Sequence, residues 1–173
     1  MIRSAFIAAC LGVLSLTAGM GGPALAGALE APSGEVVLTV SGDIEAANAP
    51  GGAAFDLATL KQFPAREIRT TTYWREGVQH FKGVSAVAVL ESLGVKDGIV
   101  TASAPDDYSV EIPMADLRAH EGILALELNG VDLTEEAEGP VWLIFPYDEM
   151  TPEERTRYTD WSVWMLNRIK VAN

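Results

Sequence analysis

Residues 67–94, EIRTTTYWREGVQHFKGVSAVAVLESLG, decide how this chain is read. Glu67 to Tyr73 contains Ile68 and three consecutive threonines, and β-branched residues fit a pleated strand. Tyr73 and Trp74, followed by Arg75, Glu76 and Gly77, put large aromatic side chains at the edge where that strand gives way to a loop. Aromatics in such a position face a pocket or a partner more readily than a core. Gly83 then opens a helix in which Val84, Val87, Leu90 and Leu93 recur at helical spacing, Ser85 supplies a cap and Gly94 a stop. The expected unit is strand, aromatic loop, helix.

Working outward, Val36 to Val40 is β-branched and apolar between Gly34 and Gly42, which predicts a strand. Ala46 to Ala54 is a loop by composition. Asp56 caps a short helix that ends at Gln62, before Pro64. On the other side, Ile99–Ala102, Tyr108–Ile112 and Ile123–Leu128 predict strands, the last running into the hairpin signal Asn129-Gly130. Gly139-Pro140 turns into Val141 to Phe145, five apolar residues without alternation, as expected of a strand covered on both faces. Thr151-Pro152-Glu153-Glu154 combines a capping residue, a proline in the first turn and a glutamate three residues on, which starts a helix. Trp161 to Val171 closes as a strand. With no repeat and no linker, residues 36–173 read as one α+β domain behind a short lead-in, residues 27–35.

Composition narrows the function. The 173 residues carry 12 Lys+Arg against 24 Asp+Glu, a net charge of −12, with one cysteine. No basic cluster meets the needs of nucleic-acid binding or of an anionic membrane surface. One thiol excludes an internal disulfide framework and thiolate-rich metal sites. Residues 1–26 predict an export signal: Arg3 in the n-region, an apolar stretch from Phe6 to Met20, and the small-x-small pattern Ala24-Leu25-Ala26. The stretch is shorter than the roughly 20 residues of a spanning helix, so no membrane insertion is expected after cleavage. Cleavage removes Cys10, and with a single arginine the leader reads as general secretory, delivering the chain unfolded to a periplasmic or extracellular location.

Phe81-Lys82-Gly83-Val84 before a helix through Leu90, Leu93 and Gly94 resembles a segment of the molybdopterin-binding domain of sulfite oxidases. So do Asp107-Tyr108 before a strand ending Ile112-Pro113, Leu124-Ala125 before Asn129-Gly130 and Leu133, Gly139-Pro140 before an apolar strand ending at Pro146, and the closing Trp164, Ile169 and Val171. The order and spacing of these pieces over about residues 36–171 carry the resemblance. It implies the mixed-sheet α+β sulfite oxidase-like fold and, in active members, molybdenum held by a pterin dithiolene and one protein cysteine just after a strand. The stretch matching that position is Arg69 to Trp74, with threonine in place of the thiol. A threonine hydroxyl is a hard, weak donor where the metal takes a soft thiolate. Where the resemblance implies basic residues for the pterin phosphate, this chain has Trp142 and Val163.

Other chemistries lack their residues. His80 and His120 are the two histidines, and neither has partners at metal-ligand spacing, so both read as solvated or capping side chains. The acidic runs Glu135-Glu136-x-Glu138, Asp148-Glu149 and Glu153-Glu154 lack the alternating loop that wraps calcium. No serine lies in a nucleophile-elbow motif, and no glycine loop cradles phosphate outside the leader. Trp142 and Trp164 read first as core residues of buried strands. The expectation is an exported sulfite oxidase-like domain with no cofactor and no catalytic residue, acting as a ligand-binding or accessory module toward a small molecule or an envelope protein. Its candidate ligand residues are Arg69, Thr71, Thr72, Tyr73, Trp74 and Trp142, with Tyr147 and Trp164 as further candidates. The alternatives are a molybdopterin-dependent oxidoreductase with an atypical metal site and a structural subunit of an envelope complex.

Overall fold

The structure, a computed structural model, describes residues 29–135 and 139–173. The expected export signal and residues Glu136 to Glu138 of the first acidic run lie outside the described residues.

Two sheets form the body. In the first, β1 (Leu38–Gly42) lies between β2 (Ala53–Phe55) and β10 (Arg168–Ala172), and the sheet continues through β5 (Ile99–Ser103) to β6 (Ser109–Pro113). Only the β1–β10 pair in it is parallel. The second sheet runs β3 (Ala65–Thr71), β4 (Val78–Ser85), β7 (Ile123–Leu128) and β8 (Val131–Asp132), with β9 (Trp142–Ile144) also on β7. Among the described residues, four α-helices connect the strands: α1 (Leu57–Leu60), α2 (Ala86–Ser92), α3 (Met114–Ala119) and α4 (Pro152–Asp160). The mixed sheets with a few helices are the α+β class read from the sequence.

Local chemistry sets the helix ends. Asp56, nearly buried, caps α1 by accepting from the Thr59 amide at 2.7 Å and hydroxyl at 2.8 Å, and it also accepts from the amides of Ser33 and Gly34. These donors, the Thr59 amide foremost, hold its carboxyl well below the ordinary carboxylate range. Ser85 caps α2 through the Ala88 amide, and Gly94 ends that segment at φ +87°. Thr151 and Glu154 close a reciprocal capping box on α4, behind Pro152.

The helix expected from Gly83 is a correction. Residues 78–85 form β4, paired along its length with β3 and β7, and the helix begins only at Ala86. Gly83 sits at a bulge in the β4–β7 ladder, where a β-carbon would lie 1.9 Å from the Leu124 carbonyl oxygen; the glycine serves close strand approach rather than a helix start. The strand β2 and helix α3 fall where a loop and a connection were expected. The closing strand starts at Arg168 instead of Trp161. Ahead of it the chain turns, with Val163 bridging Leu143 and Met165 at φ +53°.

The core between the sheets is continuous and includes Leu38, Val40, Phe55, Phe81, Leu90, Leu128 and Ile144. Val141 to Phe145 is buried throughout, as its unbroken apolar run requires. Among the described residues no helix is long and apolar enough to cross a membrane.

Candidate functional site

The end of β3 is tied to the turn after β9 and to α4. The Thr71 amide donates to Asp148 Oδ2 at 2.7 Å and its hydroxyl to Asp148 Oδ1 at 2.5 Å. Arg155, on α4, donates to the same Oδ1 at 2.7 Å and to the Thr71 hydroxyl at 2.9 Å. The Thr70 hydroxyl, fully buried, accepts from the Asp148 amide at 3.1 Å. Burial acts to raise the Asp148 carboxyl, but the Thr71 hydroxyl and amide and the Arg155 guanidinium outweigh it and hold it below its ordinary value. Thr71, a predicted ligand residue, is thus engaged inside the protein. Thr72 is engaged as well, its hydroxyl accepting from the Arg75 amide at 3.2 Å across a tight turn.

That turn sets out an aromatic group. Trp74 packs edge-on against Tyr73 at 4.9 Å, Trp164 at 5.2 Å and Tyr147 at 6.0 Å between ring centroids, and Trp164 in turn lies 5.9 Å from Trp142. Tyr147 is buried behind the group, its hydroxyl paired with Ser162, and burial pushes that hydroxyl's pKa well up. The Trp74 indole N–H is shielded from solvent with no acceptor among the described residues. Buried donors in that condition are uncommon and ask for a reason.

Two cavities open on these rings. One, of about 370 Å³, lies between the Tyr73–Trp74 turn and the segments 104–108 and 159–165; its lining includes Tyr108, Asp106, Asp160 and Trp164. The other, of about 330 Å³, is lined by Trp74, Arg75, Trp142 and Trp164. Of the sequence-predicted ligand residues, the structure brings together Tyr73, Trp74 and Trp142. Arg69 is elsewhere, lining a polar hollow with Arg66, His120 and Glu149. Trp142 is core as read, at 2% exposure, whereas Trp164 is 36% exposed and correctable to a cavity wall, because the chain turns at 161–167 instead of running as a buried strand. Asp106, Tyr108 and Asp160 were not anticipated; the one signal for them was Tyr108 at the mouth of a predicted strand.

The remaining candidates have structural partners. His80 meets Glu67 at 2.9 Å and His120 meets Glu154 at 3.6 Å. Among the described residues no three His, Cys, Asp or Glu side chains converge as a metal-binding group. Asp148 and Glu154 of the acidic runs are spent on the Thr71 clamp and the α4 cap.

A family model described as the oxidoreductase molybdopterin binding domain matches residues 35–150. The chain is also similar to an uncharacterized oxidoreductase, YuiH, of Bacillus subtilis (strain 168), at 32% identity over 94 residues, 51% of this chain and 48% of that protein. The match therefore spans about half the length of that relative. A molybdenum–pterin group asks for a soft thiolate and for cations facing its phosphate. The residues at the β3 edge do not fit it: they offer threonine hydroxyls already bound to Asp148 and Arg75, and Arg155 is itself paired with Asp148.

Proposed function

This chain belongs to the oxidoreductase molybdopterin-binding domain family, and we propose that it is an exported member that binds a small ligand, or presents this face to an envelope partner, without molybdenum catalysis. The observation that carries the reading is the Thr71–Asp148–Arg155 clamp. The stretch that the resemblance matches to a metal-ligating thiolate offers Thr71 or Thr72 instead: the Thr71 hydroxyl donates to a carboxylate and accepts from a guanidinium, and the Thr72 hydroxyl accepts from the Arg75 amide. The Thr71 proton is committed to Asp148 and one of the two lone pairs to Arg155, so turning that hydroxyl into an anionic metal ligand means breaking a charge-assisted hydrogen bond. Beside it, the aromatic cavities offer the mixture of apolar walls and a few polar groups typical of small-molecule sites. The predicted leader supports export, by a route that delivers unfolded chains.

The family match itself favours a second reading, an oxidoreductase that holds molybdopterin through an atypical site. One measurement separates the two. Protein purified from its native host is assayed for molybdenum by elemental analysis and for the fluorescent oxidised pterin. The binding-module reading expects both at trace levels; near-stoichiometric amounts of both overturn it.

A further inference from the structure

We infer that the cavity walled by Tyr73, Trp74, Tyr108 and Trp164 recognises a small organic cation, an alkylated ammonium group; the inference rests on the ligand-binding reading above and names the ligand's chemistry. Three aromatic side chains stand out as exposed among the described residues, Tyr73 at 77%, Tyr108 at 44% and Trp164 at 36%, and all three line this one cavity. Isolated exposed aromatics would need no explanation, but their convergence does. Trp74 joins them, meeting Tyr73 at an interplanar angle of 85° and Trp164 at 68°. Rings set so steeply to one another make the walls of a corner, which gives a guest several π faces and edges at once.

The charges lining the cavity are of one sign. Asp106 and Asp160 are its charged side chains, no lysine, arginine or histidine contributes, and neither aspartate is salt-bridged to a described residue. Tyr108 is fixed between them: its amide donates to Asp106 Oδ1 at 3.1 Å and its hydroxyl to the Asp160 carbonyl at 2.7 Å. Aromatic faces attract a cation through their quadrupole, and two carboxylates with no ion pair among the described residues add to that field, whereas an anion meets repulsion from both. The backbone is also unusual on both sides of the cavity, with positive φ at Asp107 (+68°) and at Met165 (+53°). For an unbranched side chain such as methionine this is a sparsely populated region, and such residues gather at ligand sites. A volume of about 370 Å³ suits a compact small molecule.

The probes are choline, tetramethylammonium and 3,3-dimethylbutan-1-ol, the neutral carbon isostere of choline, titrated into the purified chain while tryptophan emission and thermal stability are read. Choline is expected to saturate the emission change and raise the melting temperature, and the neutral isostere to bind at least about tenfold more weakly. Asp160→Asn, a change at an exposed position that leaves the packing alone, is expected to weaken choline by severalfold, and Trp164→Ala more than Trp164→Tyr. Equal binding of choline and its isostere, or no saturable response to either cation, overturns the inference. If a neutral metabolite or sulfate binds instead, the cation inference fails while the binding-module reading stands. Stoichiometric molybdenum in native material removes that reading independently.

Discussion

Replacing Thr71 by valine distinguishes a hydroxyl that braces the fold from one held for a ligand. Valine keeps the shape and deletes two hydrogen bonds, the one to Asp148 Oδ1 and the one from Arg155. Bonds to charged partners contribute about 1.5–3 kcal/mol each when shielded. Here the Asp148 and Arg155 side chains retain 37% and 38% exposure, and solvent screening reduces the pair to about 1–2 kcal/mol together. For a domain of this size that is a fall in Tm of about 2–8 °C. Thr71→Ser keeps the hydroxyl and is expected within about 0.5 kcal/mol of the wild type. Urea unfolding followed by tryptophan fluorescence measures both. The pH dependence adds a second handle. Asp148 has its folded pKa below the ordinary 3.8, so its contribution is complete above that value and is lost as pH falls through the folded pKa. The gap between wild type and Thr71→Val, open at pH 7, should therefore close progressively below pH 3.8. A valine variant as stable as the wild type at neutral pH, or a serine variant as damaged as the valine one, refutes the clamp.

Two further substitutions test the frame that carries the site. Gly83→Ala places a β-carbon 1.9 Å from the Leu124 carbonyl oxygen, a backbone contact that cannot rotate away, and is expected to cost at least about 1–3 kcal/mol in urea unfolding, with faster amide exchange along the β4–β7 ladder. Trp142→Ala empties a core position whose ring is tilted against Phe81 at 6.3 Å between centroids and is expected to cost about 3–5 kcal/mol. A cost below about 1 kcal/mol would refute a core-packing role for Trp142.

The parts of the fold that were legible in the sequence are those set by neighbours along the chain. Ser85, Asp56 and the Thr151–Glu154 pair announce helix starts because a cap needs only a side-chain oxygen and an amide three residues on. What hid β4 is that its reasons are long-range. Val78 to Ser85 is strand because β3 and β7 flank it, and its Val84 is spaced with Val87, Leu90 and Leu93 as a helix would be. The site divides the same way. Tyr73 and Trp74 could be picked out as a strand-to-loop edge, and they do border the cavities. Trp164 was assigned to the core by supposing one continuous strand from Trp161, and the left-handed turn at Met165 that brings it out has no signature in a methionine. Asp106 and Asp160 reach the cavity only through tertiary folding, from segments with no local link.

The clamp also bears on how the aromatic cavity works. Thr71 closes β3 one residue before the Thr72–Arg75 turn, so the bonds to Asp148 and Arg155 anchor the root of the segment that carries Tyr73 and Trp74. The other walls are anchored too: Tyr108 by Asp106 and the Asp160 carbonyl, and the segment before Trp164 by the Val163–Leu143 bridge and the Ser162 hydroxyl's bonds to Tyr147 and the Tyr158 carbonyl. A guest entering between these walls does not have to order them, and that ordering entropy is among the larger costs of binding. The hydrogen bonds that hold Thr71 to Asp148 and Arg155 are thus the same ones that anchor the segment carrying the neighbouring rings. Under the proposed ligand-binding reading, the β3 edge would brace the fold and fix the cavity walls through a single arrangement.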